Sequence, residues 1–203
     1  ALAGSPIRVA AQDSHWEEKG AFTGEVSGSL LKDAGCSAVI IGHSERRTHF
    51  GETDETVALK TAAAIRHVLI PLVCIGDTRA EYDSGQTASA LERQTRALLS
   101  DVPRNDAHKV IIAYEPVWSI GEGGTPATPE FANDQHRRIK TLTREIMGEE
   151  LRVLYGGSVN PGNCVALSKE PHIDGLFIGR SAWDIEGYLG IVKLVLAALG
   201  EST

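Results

Sequence analysis

Six short, mostly apolar and β-branched runs recur along the chain: Ile7 to Ala11, Ala38 to Ile41, Ile70 to Ile75, Val110 to Tyr114, Arg152 to Tyr155 and Gly175 to Ile178. Each is too short for a helix and carries the continuous hydrophobicity of a strand buried on both faces. Between and after them, apolar residues return at helical spacing. They do so around Val26, Leu30 and Leu31, around Val57, Ala58, Ala62 and Ile65, and around Ala88, Leu91 and Leu98. The pattern continues around Phe131, Ile139, Leu142 and Ile146, in a short stretch after Pro161, and through Ile191, Leu194, Val195 and Leu199. Strand and helix in strict alternation require parallel strands joined by right-handed crossovers. No linker, low-complexity segment or charge block interrupts the 203 residues, so the expectation is one α/β domain spanning 1–203.

Composition removes several classes of function. At 42% hydrophobic and 23% charged the chain has the balance of a soluble globular protein, and no apolar run is long enough to span a bilayer. A cytoplasmic location is expected, with no membrane partner. Cys36, Cys74 and Cys164 are an odd number without metal-type spacing, so they read as buried thiols in a reducing compartment, and no metal site is expected. The net charge of −7 argues against nucleic acid, since no basic stripe is present to neutralise phosphates. A small phosphorylated ligand remains open, because such a site uses local amide dipoles and one or two cations.

Unusual residues gather where the strands end. Glu115 directly follows Val110 to Tyr114, and Pro116 ends that strand. Then come Val117, Trp118 and Ile120, followed by Gly121-Glu122-Gly123-Gly124, the composition of a loop that can swing as a piece over the carboxylate. Thr128 as N-cap and Pro129 at the first helical position restart order. Strand two ends Gly42-His43-Ser44-Glu45-Arg46-Arg47, where Ser44 can cap a short helix. A helix N-terminus there disfavours the imidazolium and would keep His43 neutral. Strand three ends Gly76-Asp77, strand five Gly156-Gly157-Ser158 and strand six Gly179-Arg180-Ser181. Glycine turns entering helix N-termini present backbone amides to a phosphate. Polar residues at the carboxyl ends of parallel strands mark the active-site face of a (β/α) barrel. Taken singly, each feature also has a plainer reading: a structural His43, a packing Cys74, and Glu45, Arg46 and Arg47 as a surface or interface ion-pair network. The other histidines show no partner pattern and receive no role.

The combination GHSERR (42–47), AYEPVWSIG (113–121), YGGSV (155–159) and IDGLFIGRSAW (173–183), in that order, resembles the triosephosphate isomerase family. AQDSHWEEKGAFTGE (11–25), FGETDE (50–55) and VCIGDT (73–78) extend the similarity over essentially the whole chain. The resemblance implies a TIM (β/α)8 barrel, no cofactor, and a small phosphorylated sugar as substrate. It makes Glu115 the base, His43 the electrophile and Glu45 a supporting carboxylate. Gly121, Ser158 and Gly179 fall at phosphate-binding positions, Trp118 and Ile120 in the lid, and Cys74 beside the base. The loop around Thr23 resembles the one that enters the neighbouring subunit of the family's homodimer. The implied reaction is proton transfer through an enediolate, with lid closure excluding water. A neutral histidine beside a glutamate base is the family's established arrangement, so that assignment is carried over and not predicted.

Two departures qualify the resemblance. A barrel of this type has eight strands in typically ~250 residues, whereas the pattern here begins at what resembles the third strand. The first two strands, and the asparagine and lysine that contact substrate in the family, have no counterpart, so this chain alone is expected to be inactive. The lid also lacks the family's lysine after Gly123, Arg180 stands where the family has a second glycine, and Asp77 replaces a glutamate, which is expected to loosen the contact with Trp118. With VNPGNC (159–164), these details resemble the branch that isomerises tetrulose phosphates in erythritol breakdown. Interconversion of glyceraldehyde 3-phosphate and dihydroxyacetone phosphate, a step of glycolysis and gluconeogenesis, is the leading expectation. Isomerisation of L-erythrulose 1-phosphate is its near equal, and an inactive barrel or binding protein is the alternative of another class.

Overall fold

A computed structural model describes residues 4–121 and 123–200. Six strands form one parallel sheet: β1 (Ala10–Ala11), β2 (Ala38–Ile41), β3 (Ile70–Ile75), β4 (Ile111–Tyr114), β5 (Arg152–Tyr155) and β6 (Gly175–Leu176). Their order in the sheet is their order in the chain. A parallel sheet that never reverses direction places every right-handed crossover on the same face. The helices therefore cover one side and the strands curl around a shared interior, giving an open (β/α) barrel of six units.

The helices are α1 (Gly28–Asp33), α2 (Ser44–Phe50), α3 (Asp54–Arg66), α4 (Arg79–Asp83), α5 (Thr87–Leu99), α6 (Pro129–Met147), α7 (Cys164–Ser168) and α8 (Ile185–Leu199). Short 3-10 turns lie at Arg104–Lys109, Val117–Ser119 and Arg180–Ala182. The helices α3, α6 and α8 begin at side-chain caps. The Thr128 hydroxyl accepts from Phe131 N at 3.2 Å with Pro129 next in the chain, and Thr53 and Thr56 close a reciprocal capping box on α3. The helix α6 ends at Gly148, whose φ of +90° closes its last turn. The core runs along the sheet through Val39, Ile41, Val73, Ile75, Ile112 and Val153, and meets Leu91 and Leu98 of α5 and Ile139 of α6.

Three features depart from expectation. The first strand was expected over Ile7 to Ala11 and the last over Gly175 to Ile178, yet each forms only two ladder residues. Among the described residues β1 pairs only with β2 and β6 only with β5. A strand with one neighbour keeps only the positions that neighbour can bond, so Ile7 and Val9 emerge about half exposed. On the other flank, β6 and α8 leave an apolar groove of about 380 Å³ lined by Ile173, Leu176, Ile178, Ile191 and Val195. The cap of α2 is His43, not Ser44: its Nδ1 accepts from Glu45 N at 3.3 Å. Finally, α4 was not anticipated. It places no residue in the core, so apolar periodicity carried no trace of it.

Candidate active site

Parallel strands deliver their carboxyl ends to one rim, and the ladder continues past them. Glu115 N donates to Ile75 O at 2.7 Å, Gly156 N to Tyr114 O at 2.8 Å and Phe177 N to Tyr155 O at 2.8 Å. Glu115 is thus held by its backbone between the ends of β3 and β5. That close approach demands glycine at 76 and leaves little room at 156. A Cβ on Gly76 would lie 1.7 Å from Glu115 O, and one on Gly156 would lie 3.0 Å from Glu115 Cγ and 3.1 Å from Phe177 Cδ1.

The Glu115 side chain is 2% exposed and fully engaged. Its Oε1 lies 3.0 Å from His43 Nε2, and its Oε2 accepts from Ser44 N at 3.0 Å, the first amide of α2. Since Glu45 N donates to His43 Nδ1, the imidazole proton resides on Nε2, facing Glu115. The hydrogen bond that His43 donates to Glu115 raises the His43 pKa above its usual 6.5, against the effect of burial, with further support from the charges of Glu115, Glu45 and Glu52. This is opposite in direction to the neutral imidazole expected from the helix terminus: a carboxylate at 3.0 Å outweighs a partial dipole charge. Cys74 is fully buried beside Glu115. Desolvation, then the Glu115 charge and hydrogen bond, push its thiol well above the ordinary range, so it stays protonated.

The carboxylate of Glu45 is exposed, with Oε2 4.0 Å from His43 Nδ1. It touches the histidine most closely through its backbone. Arg46 and Arg47 turn inward, Arg47 to Asp54 at 2.7 Å and to Gly42 O at 2.9 Å, and Arg46 into a cluster that sequence reading missed. In that cluster Arg46 meets Asp13 at 2.8 Å and Glu52 at 2.6 Å, while the nearly buried Lys60 meets Asp13 at 2.6 Å and also Glu52. Burial raises the Asp13 pKa in spite of Lys60. For Glu52 burial is outweighed by hydrogen bonds from Lys60 and Arg46, and its pKa falls. Glu52 Oε2 accepts from Gly42 N at 3.0 Å, bracing the residue before His43. No local pattern announces such a cluster, because its members come from four separate segments: the loop after β1, α2, the turn between α2 and α3, and α3.

Over the rim, Trp118 and Ile120 are half-buried and Gly121 is exposed. The short Asp77 does not loosen the contact with Trp118: the indole Nε1 donates to Asp77 Oδ2 at 3.1 Å. The carboxylate also accepts from Tyr114 Oη at 3.0 Å and Thr87 Oγ1 at 2.7 Å, and it is fully buried. The turns carrying Ser158 and Gly179 are brought together by Ser181 Oγ donating to Val159 O at 2.8 Å. Ser158 is half-buried, and Gly179 and Arg180 are exposed at the rim. Among the described residues no hydrogen bond joins Gly121 to this pair. The Thr23 loop is closed at its base by His15 N donating to Val26 O at 2.8 Å. The His15 ring lies 4.2 Å from Trp16 and 4.5 Å from Phe22, which leaves Thr23 exposed. No group of metal-binding side chains occurs among the described residues, and no described helix is long and apolar enough to cross a membrane.

The sequence pattern of the family described as Triosephosphate isomerase matches residues 1–195. The L-erythrulose-1-phosphate isomerase of Rhizobium etli is 53% identical over 203 residues, covering 100% of this chain and 76% of the relative. Those of Brucella abortus and Rhizobium meliloti are 51% and 50% identical, over 94% and 98% of this chain and 75% and 78% of the relatives. A buried glutamate directly after β4, a histidine at the α2 terminus and similarity along the whole chain lead to one conclusion: the chain belongs to the triosephosphate isomerase family and is an isomerase of that type.

Proposed function

We propose that the protein interconverts phosphorylated tetruloses, with L-erythrulose 1-phosphate as substrate, by proton transfer through an enediolate. The observation that carries the substrate is half-identity along the chain to isomerases named for it. Arg180 at the rim supports it, as a long cation where a sugar one carbon larger extends. The three-carbon reading, glyceraldehyde 3-phosphate with dihydroxyacetone phosphate, remains the second, supported by the family pattern itself.

Glu115 is the base and His43 the electrophile. As they stand, each occupies the other, so substrate has to insert its carbonyl between them. His43 then turns its Nε2–H to the carbonyl oxygens, and Glu115 leaves Ser44 N to take the proton from the adjacent carbon. His43 carries the hydroxyl proton from one oxygen of the enediolate to the other, and Glu115 returns its proton to the former carbonyl carbon, so that the old hydroxyl carbon becomes the new carbonyl and the atoms balance. Backbone amides at Gly121, Ser158 and Gly179 hold the phosphate, with Gly121 arriving when the lid closes. Trp118 and Ile120 form the lid's apolar underside, and Glu45 holds the histidine tautomer through its amide. The reaction needs no cofactor. The exposed Thr23 loop is the contact of a homodimer, and the protein acts in the cytoplasm on a small sugar phosphate, without nucleic acid or membrane.

The test is kcat/KM for L-erythrulose 1-phosphate and glyceraldehyde 3-phosphate in parallel. It is run on the 203-residue chain and on the same chain joined to the part of the Rhizobium etli relative that it does not cover. A tetrulose preference, lost when Arg180→Gly is introduced, supports the proposal. A triose preference with equal losses on both substrates removes Arg180 as a specificity element. No turnover of either substrate by either protein leaves the binding-protein reading.

A further inference from the structure

Trp118 is held from three sides by groups that take no part in the proposed chemistry. Tyr82 of α4 stacks on the indole with ring centroids 4.1 Å apart at 29°. Phe131, in the first turn of α6, meets the indole edge to face at 5.6 Å and 72°, and meets Tyr82 at 5.7 Å and 80°. The indole N–H is fixed on Asp77. The three rings thus close a triangle beside the N-terminal hinge of residues 117–128.

The supports differ in firmness. Asp77 is fully buried and bonded to three donors, and Phe131 stands on a helix of 19 residues. Tyr82 sits on a five-residue helix that contributes nothing to the core. That helix is kept in place by the capping box of Thr78 and Glu81 and by Arg93 Nη2 on Glu81 at 3.3 Å. Its aromatic side chain is the support able to yield without disturbing the barrel.

We infer that Tyr82 is a positioning residue for the lid, its ring being the removable face of the Trp118 seat that sets how readily Trp118 and Ile120 leave their present arrangement. The inference rests on reading the segment that carries them as a lid. Loss of an aromatic stack of this kind shifts a two-state equilibrium by roughly 2- to 10-fold.

The experiment is ¹⁵N relaxation dispersion on the Trp118 indole resonance, assigned by its disappearance in Trp118→Phe, in parent protein, Tyr82→Ala, Tyr82→Leu and Tyr82→Phe. Thermal melting is followed alongside. Expected is a several-fold larger population of the exchanging state in Tyr82→Ala and Tyr82→Leu at nearly unchanged Tm, with parent behaviour restored in Tyr82→Phe. Parent-like exchange in Tyr82→Ala, or a lowered Tm without added exchange, would make the ring ordinary packing and overturn the inference. So would a Tyr82→Phe variant that behaves like alanine. These readouts need no substrate, so failure of the isomerase assay and failure of the lid inference are separate results.

Discussion

The imidazole Nε2 of His43 lies 3.0 Å from Glu115 Oε1, so the two groups best placed for acid–base chemistry satisfy each other. The second carboxylate oxygen is satisfied by Ser44 N. A buried carboxylate left without donors carries a large desolvation penalty. The contacts with His43 and Ser44 therefore supply the buried side chain with partners at both of its oxygens.

Removing that charge has a readable effect on the histidine. In Glu115→Gln the His43 pKa should fall, since the Glu115 bond is the largest cause of its elevation. NMR titration of the ring measures it. The sign for stability follows. The pair adds stability that is full below 6.5, the ordinary value, and lost as pH rises through the higher folded-state value. An unchanged titration in Glu115→Gln would show that the pairing is not present in solution.

Catalysis should be sensitive to reach as well as charge. Glu115→Asp withdraws the carboxylate by about an ångström, which can cost ~100-fold in kcat. An active protein whose rate is unaffected by this change uses another base.

His136 predicts acid lability. It is fully buried on α6, its ring centroid 5.9 Å from that of Tyr114 and 6.2 Å from that of Tyr155. The backbone groups of Val153 and His172 approach the ring without meeting hydrogen-bond geometry. Burial lowers its pKa from 6.5 to about 4. The unfolded chain therefore binds a proton in this window that the folded chain refuses. Stability is full above pH 6.5 and declines as pH falls towards 4, by a total on the order of 3 kcal/mol. Urea midpoints across that range should fall in the parent and fall distinctly less in His136→Phe, which keeps the ring and loses the titration.

Asp77 predicts intolerance of the longer homologous side chain. Three donors converge on a fully buried carboxylate at distances of 2.7 to 3.1 Å. Asp77→Glu adds a methylene to a fully buried side chain already fixed by three donors, for a loss of roughly 1–3 kcal/mol. Asp77→Ala strands three donors and should cost more. Thermal melting ranks the two variants, and a neutral Asp77→Glu would mean that the seat is plastic.

Val68 is a β-branched residue at φ +57° and 72% exposed, between α3 and β3. Left-handed backbone costs an L residue roughly 1–2 kcal/mol, and burial returns none of it here. Val68→Gly should stabilise the protein by about 1 kcal/mol after glycine's own unfolded-state entropy is counted. The bond from Lys32 Nζ to Val68 O, at 2.9 Å, uses only backbone and should survive.

What the sequence made legible follows the reach of each signal. The strands β2, β3 and β5 appear with their expected ends, and β4 begins one residue later, because an apolar run needs only itself to be recognised. The edges β1 and β6 were read too long, since apolar residues state that a strand wants neighbours and not how many it has. Glu115 and His43 could be named from their motifs, but their contact spans elements far apart in the chain, and it reversed the expected direction of the histidine's pKa. Lys60 and Tyr82 sit at positions where a helix surface normally carries any polar side chain. Only the fold showed what each of them faces.

The sequential strand order has a kinetic consequence. Each ladder joins segments roughly 20 to 40 residues apart, so closing one loop costs nearly the same entropy as closing the next. No strand has to thread between two already paired, and a unit that has formed offers a finished edge to its successor. The chain can therefore assemble by addition from any interior pair, and the order of events along the folding route is set by which strand–helix–strand unit is locally strongest.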